Sequence, residues 1–586
     1  MNRFLLEASW EVANKVGGIH TVLKEKAPFI KEKFGDEYLV IGPYVKDTGF
    51  QEFNALQLPP LFKEVVEETE KFGIHVFYGE WLVEGRPRGF LIDFNELMMK
   101  ANMFKYELWD VFKIDSTRTG RDYEEPITWA KATSIFLKHF CQHFTGRKIV
   151  IHTHEWLAGS ILLFEKFNTL PSVSTVFTTH ATVLGRSLAS AGVNFWETFS
   201  SIKPDEEAKR YGVEARHGIE KYAAQYARIF STVSSPLTIE AHHFLGRKPD
   251  AILPNGLDFK RFPTVEEMAH AHRKYRESIR EFILFFFSPY FRVETSNSIQ
   301  LFISGRPEIK NKGIDVYIKA LGRLNKKLGK DDKNVYAFIF VPGETRDIDH
   351  TLAHNLSLYR NIEERIDEMT NELKSRLLHY LVHKKQARTG GLFTKDEFVE
   401  FAKMFSSIRH ESDIPLSTHI PSPNDPIMKL LRLENLTNAK DDKVKIIYYP
   451  SYLSSTDGLL NINYEDAVSG FHLGVFPSFY EPWGYTPLES SASGVLTITT
   501  DTTGFADFLQ KHTKQSNKNP GIFIIGRKGR TDTATVQLVT DVMQKIVRLN
   551  KQDRVENKLE ARRLAQSCEW KKLISYYFEM YKKLLP

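Results

Sequence analysis

Cysteines are scarce in this sequence, and long apolar runs are missing. Only two cysteines, Cys141 and Cys568, occur among 586 residues. This scarcity excludes a secreted disulfide framework and argues against a cysteine-based zinc site, so a reducing cytoplasm is expected. The longest plain apolar run, residues 282–287, is far shorter than the roughly 20 residues that a membrane span needs. The apolar start of the chain is broken at Glu7, so no signal peptide is expected.

A strong excess of either charge is also missing. The chain has 79 basic and 73 acidic residues, which gives a formal net charge of +6 with histidine neutral. Over this length, such an excess is too small to predict a nucleic acid or an anionic membrane as partner. Hydrophobic residues make up 42% and aromatic residues 13%, enough for sizeable cores. At roughly 150 residues per domain, the length predicts more than one domain.

Short apolar runs alternate with amphipathic stretches through the first half of the chain. Several runs are apolar throughout, which is typical of strands covered on both faces in a parallel sheet. The alternation of strand and helix therefore predicts a doubly wound α/β sheet. The predicted strands are residues 4–8, 38–41, 75–78, 89–93, 149–152, 175–179, 230–233 and 251–253, and the predicted helices are residues 18–31, 156–167 and 219–228.

A second series of the same kind follows Gly256 and a charged helix predicted at residues 266–281. The predicted architecture is thus two Rossmann-like domains, residues 1–263 and 264–567, that face an interdomain cleft. Ligands of such sheets bind beyond the carboxyl ends of the strands. The predicted strands of this half are residues 300–304, 335–341, 445–449, 473–476 and 495–499, and the predicted helices are residues 314–328, 464–470 and 488–492.

Residues 343–440 interrupt the second series. A long charged stretch, residues 356–383, has apolar residues at steps of three and four, and further helices are predicted at residues 394–409 and 428–438. We interpret the segment as an inserted helical hairpin. A coiled-coil arm that joins copies into a dimer or tetramer is the favoured interpretation, and a plain surface decoration is the alternative.

The segment around residues 476–489 leaves a predicted strand, crosses a tight loop and enters a helix. Thr486, Pro487 and Glu489 fit the N-cap, first and third positions of a capping box. A purely structural role for Glu489 is therefore one interpretation.

The same helix start also favours anion binding. Free backbone N–H groups of Gly484, Tyr485 and Thr486, at the positive end of the helix dipole, suit a phosphate or diphosphate. Glu481 lies just upstream, and with Glu489 it would contact the group that the diphosphate carries. Two glutamates around such a turn suit a nucleotide sugar.

Cations are predicted opposite this turn. The loop at residues 303–313 follows a strand and contains Arg306, Lys310 and Lys312. A guanidinium fork and a compact ammonium make a complementary pair for phosphate oxygens, which favours Arg306 and Lys312. Lys310 is more simply interpreted as a solvated surface charge.

Three further segments follow predicted strands of the first domain. Gly17 and Gly18 form a strand-to-helix turn beside Lys15, which is either a plain turn or a place where a diphosphate approaches the backbone. His152 and His154 are two imidazoles in an extended segment, a poor metal site, and no metal is predicted. His180 and Arg186, in the third of these segments, are interpreted as polar groups that line the cleft.

These motifs together resemble the eukaryotic-type glycogen synthases, glycosyltransferase family three, which have the GT-B fold. The resemblance covers nearly the whole chain. It is carried by the motifs at residues 11–18, 154–159, 178–182, 248–258, 305–313 and 480–487.

The resemblance implies transfer of glucose from UDP-glucose to the non-reducing 4-hydroxyl of an α-1,4-glucan, with retention and without a metal or cofactor. It implies that the C-terminal helix, within residues 568–586, returns to the first domain. The catalytic residues that it implies are His180, Arg306, Lys312 and Glu481. The donor-binding residues are Lys15, Gly17, Gly18, Arg186, Asn255, Tyr464 (stacked on the base), Gly484, Tyr485, Thr486 and Glu489 (near the ribose).

The sequence also departs from that family. Lys15 stands where animal and fungal members carry arginine, and lysine is typical of bacterial ADP-glucose enzymes, so ADP-glucose stays possible as donor. The family's arginine-rich regulatory helix matches residues 548–563, where Asp553, Glu556 and Glu560 dilute the positive charge. Activation by glucose 6-phosphate is therefore not expected.

No carboxylate in these motifs is clearly placed to attack the anomeric carbon. This favours a front-face route, in which the departing phosphate helps to deprotonate the incoming hydroxyl. Two other functions stay open from sequence. One is a different retaining GT-B transferase that makes trehalose or sucrose, and the other is a silent glucan-binding scaffold. A pyridoxal-dependent phosphorylase is disfavoured because no Schiff-base lysine motif is evident.

Overall fold

The structure is a computed structural model that describes residues 3–45, 51–382, 393–410 and 413–585. The strands of the amino-terminal part are β1 Arg3–Ala8, β2 Tyr38–Pro43, β3 Phe53–Ala55, β4 His75–Trp81, β5 Arg88–Asp93, β6 Lys148–His154, β7 Val173–Thr179, β8 Ile229–Thr232 and β9 Ala251–Ile252. They form one nine-stranded sheet in the order β3-β4-β5-β2-β1-β6-β7-β8-β9.

This first sheet is parallel from β5 to β9, with antiparallel β3 and β4 at one edge. Its central strands β1, β2, β6 and β7 are almost fully buried, as is typical of strands covered on both faces in a parallel sheet. Burial in β6 and β7 includes histidine, serine and threonine side chains. The helices around it are Gly18–Phe34, Pro60–Glu70, Ala101–Phe112, Arg121–His143, Glu155–Gly159, Ile161–Phe164, Val183–Ser190, Pro204–Arg210, Glu214–Tyr226 and Ser235–Leu245.

The carboxy-terminal part contains a second sheet. Its strands are β10 Ser298–Ser304, β11 Asn334–Phe340, β12 Thr345–Ile348, β13 His419–Pro421, β14 Val444–Tyr449, β15 Leu473–Val475, β16 Leu496–Thr500 and β17 Ile522–Ile525. Six of them pair in parallel in the order β14-β11-β10-β15-β16-β17, while β12 and β13 form a separate antiparallel pair. Two parallel-dominated sheets confirm the α/β class.

The helices of this second part are Val265–Phe287, Ile314–Lys327, His350–Val382, Lys395–Ser406, Pro426–Leu433, Tyr464–Gly470, Tyr485–Ala492, Gly504–His512, Asp532–Arg548, Lys551–Ala565 and Trp570–Leu584. The predicted charged helix at 266–281 in fact continues to Phe287, because the apolar run at 282–287 forms its last turns. Those turns pack on the second sheet, where the rings of Phe282 and Phe338 lie 6.3 Å apart.

The prediction of one helix at residues 156–167 is wrong. The chain forms two short helices, Glu155–Gly159 and Ile161–Phe164. Glu155 itself has a left-handed backbone with φ of 63°. β3, β17 and the β12–β13 pair were not predicted from the sequence.

The last helix packs on the first sheet. Trp570, Tyr577 and Tyr581 belong to the same buried cluster as Leu5 and Tyr38. Gly256 is required at this junction, because a Cβ there would overlap the indole ring of Trp570. Pro586, the last residue of the predicted helical segment, lies outside the described residues.

The inserted segment is a helical hairpin with its own small core. Its long helix begins at His350, six residues before the predicted start, because Asp349 accepts a hydrogen bond from the Leu352 N–H (2.9 Å). Ile362 and Met369 of this helix pack against Phe401 of the shorter helix. His383, where the long helix was predicted to end, lies outside the described residues. Where the chain is described, none of the helices has the length and apolar content to cross a membrane.

Candidate active site

The carboxyl ends of β10 and β15 bring two predicted loops into contact. The loop at residues 303–313, which contains Arg306 and Lys312, is called the cation loop from here on. It ends at Gly313, whose φ is 69°. A Cβ at this position would overlap the carbonyl group of Pro477, which follows β15. Glycine is therefore required for the backbone of one loop to lie directly on that of the other.

Lys312 and Glu481 form an ion pair across these loops. Both side chains are largely buried, at 14% and 15% exposed. Arg306 is half exposed and pairs with Glu308 of its own loop at 2.8 Å. The structure thus brings three predicted residues, Arg306, Lys312 and Glu481, to the same end of the second sheet.

Glu308 is a residue that the sequence interpretation missed. Burial raises its pKa, but Arg306, a hydrogen bond from Asn311 and the charges of Arg186 and Lys312 outweigh burial and hold the pKa below its ordinary value. Glu308 therefore stays ionised among three cations. Its only sequence signal is its position within the cation loop.

The turn at Gly484 differs from its prediction. The helix begins at Tyr485, and its N-cap is Gly484 with φ of 111° and no side-chain cap. Thr486 lies inside the helix, so the predicted capping box of Thr486 and Glu489 is wrong. Glycine is needed because an L side chain rarely adopts this backbone conformation.

This helix start leaves its first amides free. Among the described residues, the N–H groups of Gly484, Tyr485 and Thr486 make no hydrogen bond. Pro487, next in the chain, has no N–H to satisfy. Free amides at the positive end of a helix dipole suit an anion, and the donor-binding role of this turn stays a prediction.

Glu489 lies about one turn further along the same helix, near Arg261. Burial raises its pKa to about 8, against the opposing charge of Arg261. Arg261 is already committed to two other carboxylates, since it forms ion pairs with Glu25 (2.6 Å) and Glu465. Glu489 is thus protonated at neutral pH and available to donate or accept a hydrogen bond.

The glycine turn of the first domain is filled by its own carboxylate. The Gly17 N–H and the His20 N–H each donate a hydrogen bond to Glu11 at 2.8 Å. The Gly17 amide is therefore not available to a diphosphate in this conformation. Gly18 is open, because a Cβ there would meet nothing within 4 Å, and Lys15 beside it is exposed.

His180 follows β7, and its backbone is held in place by the Glu155 carboxylate. Glu155 accepts hydrogen bonds from the backbone N–H groups of His180 (2.7 Å) and Ala181 (3.0 Å). Burial raises the pKa of Glu155 to about 7. A strained, left-handed glutamate under a candidate catalytic histidine is a feature that the sequence did not reveal.

Arg186 projects from the helix that follows His180 and is exposed in the cleft. Loss of contact with water inside the cleft lowers the pKa of the Arg186 guanidinium. The charges of Glu155, Tyr480, Glu308 and Glu481 outweigh this effect, so the pKa is raised. Arg186 of the first domain thus shares its carboxylate neighbours with the cation loop of the second.

Direct hydrogen bonds join the two walls of the cleft. The Asn311 side-chain amide donates to the Ser190 hydroxyl at 2.8 Å. On the other loop, the Tyr480 hydroxyl donates to Glu240 at 2.8 Å. Contacts of this kind bring the first-domain candidates near the second-domain candidates.

Two predicted donor residues lie further along these walls. Asn255 is buried, and its side-chain oxygen is left without a hydrogen-bond partner in the described structure. The Tyr464 hydroxyl lies 2.7 Å from the Ser304 hydroxyl at the end of β10. The donor-binding roles assigned to both residues stay predictions.

His152 and His154 lie beside Glu7 in the one group of potential metal ligands found in the described ranges. Their atoms already have partners. The Lys26 ammonium forms an ion pair with Glu7, while the two nitrogens of His152 contact the hydroxyls of Tyr581 and Thr178, each at 2.7 Å. A cation would compete with a buried ammonium, so we assign no metal to this group.

A second basic cluster lies outside the cleft, at the helix Lys551–Ala565. Asp553 pairs with Lys518 and Glu560 with Arg563, and the two cations of these pairs are exposed. Arg554 and Lys558 lie on a different face of the helix. They act together with Arg276 of the helix Val265–Phe287 to lower the pKa of His472, after burial and the neighbouring His272. The acidic residues therefore lie on another face of the helix than these cations, and the absence of activation by glucose 6-phosphate stays a prediction.

Sequence comparison gives the family of the chain. The family model described as glycogen synthase matches residues 7–585. The chain belongs to the glycogen synthase family. It is therefore a glycosyltransferase, as its motifs indicate.

Individual relatives agree with this assignment. The chain is 35% identical over 579 residues to the glycogen [starch] synthase of Dictyostelium discoideum, covering 98% of the chain and 65% of that protein. It is 32% identical over 583 residues to the liver glycogen [starch] synthase of Rattus norvegicus, covering 98% of the chain and 82% of that protein.

Solved structures confirm the GT-B fold. The catalytic domain of starch synthase IV from Arabidopsis thaliana, bound to ADP and acarbose, matches with a TM-score of 0.54 at 13% identity, covering 99% of both chains. Sucrose-phosphate synthase from Thermosynechococcus elongatus matches with a TM-score of 0.51 at 11% identity, covering 100% of this chain and 99% of that one.

Proposed function

We propose that the protein transfers glucose from UDP-glucose to the non-reducing 4-hydroxyl of an α-1,4-glucan, with retention and without a metal. The observation that supports this proposal is the open amide turn at Gly484 beside the cations Arg306 and Lys312. Such an arrangement suits a diphosphate leaving group.

Charge compensation is the physical core of this mechanism. Negative charge grows on the diphosphate as the bond to glucose breaks. Fixed donors aimed at such charge contribute about 3–4 kcal/mol each to the barrier reduction. The ion pairs with Glu308 and Glu481 hold Arg306 and Lys312 at the end of β10, and each cation must share or exchange its carboxylate to contact the diphosphate.

A front-face route suits this arrangement of charges. The buried carboxylates Glu155 and Glu240 are engaged with the backbone of the His180 loop and with the Tyr480 hydroxyl. Neither is free to attack a sugar carbon. We propose that the departing phosphate helps to deprotonate the incoming hydroxyl, in a cleft whose walls exclude water.

The donor is tested by assaying UDP-glucose and ADP-glucose side by side with glycogen, with and without glucose 6-phosphate. We expect transfer from UDP-glucose to be faster, because the family members that match are glycogen [starch] synthases of the animal and amoebal kind. Faster transfer from ADP-glucose would contradict the proposed donor. Stimulation by free sugars in place of glucan would favour a trehalose- or sucrose-forming enzyme.

We also propose that the helical hairpin joins copies of the chain into a dimer or tetramer. Apolar side chains stay exposed along both of its helices, although the hairpin buries only a small core. The exposed set is Ile366, Leu377, Leu378, Leu381, Val382, Phe398, Val399 and Phe405.

Light scattering of the full chain and of a variant that lacks the hairpin tests this proposal. We expect the deletion to leave a monomer, because the exposed apolar surface is then gone. An unchanged oligomer would show that another surface joins the copies.

We propose a cytoplasmic location because neither cysteine forms a disulfide. Cys141 and Cys568 are both free and buried, and burial raises the pKa of each thiol to about 12. Unreactive thiols without a disulfide are consistent with a reducing compartment.

A further inference from the structure

A buried row of polar side chains lies beneath His180 and has no part in the proposed mechanism. Glu7 in β1 and His154 at the end of β6 belong to neighbouring parallel strands. His154 Nε2 lies 2.8 Å from a Glu7 oxygen, and His154 Nδ1 lies 3.0 Å from His180 Nε2. Glu7, His154 and His180 thus form a continuous chain of hydrogen bonds that ends in the cleft.

The inner end of this chain is an anion. Glu7 is fully buried, forms an ion pair with the equally buried Lys26, and accepts a hydrogen bond from the Tyr38 hydroxyl at 2.6 Å. Burial raises the pKa of Glu7, but Lys26, His152 and these hydrogen bonds outweigh burial and lower it. An ionised carboxylate can only accept hydrogen bonds, so His154 Nε2 must carry the hydrogen and donate it to Glu7.

Both imidazoles are neutral. Burial, with the nearby charge of Lys26, holds the pKa of His154 well below its ordinary value and lowers the pKa of His180 to about 3. A neutral imidazole has one donor nitrogen and one acceptor nitrogen. His154 therefore donates from Nε2 to Glu7, and its Nδ1 must accept from the Nε2–H of His180.

The outer end of the chain then has a defined character. His180 is partly exposed, and in the described part of the chain no hydrogen bond is made to its Nδ1. With its proton on Nε2, the ring presents the unshared electron pair of Nδ1. Such a nitrogen accepts a hydrogen bond from a hydroxyl group and cannot donate one.

We propose that Glu7 and His154 are positioning residues that hold His180 in the Nε2–H tautomer, so that Nδ1 accepts a hydrogen bond from a hydroxyl of the glucosyl unit. This role rests on the proposed function, because it needs a sugar in the cleft. His180 therefore binds and orients the sugar and does not protonate the leaving group.

Two substitutions of His154 distinguish its hydrogen bond with His180 from its hydrogen bond with Glu7. In His154→Asn the side-chain oxygen can take the place of Nδ1 and accept from His180, while the contact with Glu7 is lost. In His154→Gln the amide nitrogen can take the place of Nε2 and donate to Glu7, while His180 loses its acceptor. Both variants remove a similar buried volume.

We expect His154→Gln to lower kcat for glucosyl transfer about tenfold, as the loss of one hydrogen bond allows. We expect His154→Asn to retain kcat within about threefold, because the acceptor for His180 survives. His152→Gln is the matched control, since His152 is equally buried and also lies near Glu7 (3.5 Å), but its hydrogen bonds go to Tyr581 and Thr178 and not to His180. It should lose a similar amount of thermal stability and keep kcat.

Equal kcat for the two His154 variants, or a comparable loss in His152→Gln, would overturn the proposal. A neutron structure of the perdeuterated wild-type protein tests the same point without a variant. We expect deuterium on Nε2 of His180 and none on Nδ1, and the reverse would also overturn the proposal. A wild-type protein that transfers no glucose would instead contradict the proposed function, while the tautomer stays measurable.

Discussion

The two Rossmann-like halves each contain a strand, a glycine turn and a helix, yet the two turns differ in charge. At Gly17 the first amides donate to the carboxylate of Glu11, so the positive helix end is already neutralised. At Gly484 the corresponding amides have no acceptor among the described residues. The same sequence signal therefore produces one filled turn and one open turn, and only the open one is ready to receive an anion.

The cations follow the same division. Arg306 and Lys312 lie with the open turn, whereas the filled turn has only the exposed Lys15 beside it. Glu11 nevertheless lies close enough to the second domain for Arg306 to lower its pKa, although burial outweighs this effect and raises it. The difference supports the proposal that the second domain binds the charged part of the donor while the first domain completes the cleft.

The strongest test of this comparison is Lys312→Ala. We expect kcat to fall at least roughly a hundredfold, the loss typical of one fixed donor to a developing anion. Lys310→Ala is the matched control on the same loop, because Lys310 is committed to Asp532 and Asp315. It should change kcat less than about threefold. Steady-state glucan extension measures both variants, and near-normal turnover of Lys312→Ala would remove this residue from the mechanism.

Gly484→Ala tests the open turn itself. Alanine at φ of 111° is strained, and its Cβ would lie 3.3 Å from the ring of Pro487. Strain of this kind costs roughly 1–3 kcal/mol and would tilt the free amides. We expect kcat/KM for the donor to fall about tenfold, with a lower Tm, as measured by assay and thermal unfolding. A fall in Tm with unchanged kcat/KM would show that the amides do not face the donor.

Gly18→Ala makes the parallel change at the filled turn. The new Cβ meets nothing within 4 Å, so we expect Tm to stay unchanged. If the diphosphate approaches this backbone closely, as the open space suggests, the donor KM should rise about threefold, in line with one weakened contact. An unchanged KM would leave the first-domain turn without a role in donor binding.

The smallest expected effect concerns Glu489. Its pKa is about 8 in the folded protein and near 4.5 when unfolded, because burial disfavours the charge. Between these values the folded state binds more protons, so the free energy of unfolding falls as pH rises. Glu489→Gln removes this penalty. We expect the variant to gain more in Tm over wild type at pH 8.5 than at pH 5, by thermal unfolding; an equal gain would contradict the raised pKa.

Much of the fold was predictable because it depends on local patterns. Apolar stretches predicted β1, β2 and β6, although β1 and β6 also contain the buried Glu7, His152 and His154, and the amphipathic stretch after β1 predicted a helix. The loops at the carboxyl ends of β10 and β15 were predicted to meet, and Arg306, Lys312 and Glu481 do meet there. Short elements without a strong pattern, such as β3 and the β12–β13 pair, were missed.

The sequence by itself determined the α/β class, the family and the residue types that the cleft presents. Only the tertiary structure decided which charges are already paired. Glu7 and His154 are 147 positions apart and meet only through strand register, and Lys312 meets Glu481 across 169 positions. Spacing along a chain predicts the periodicity of one strand or helix, but contacts between elements depend on register and packing. The capping box failed for this reason, because the left-handed backbone of Gly484 began the helix before Thr486.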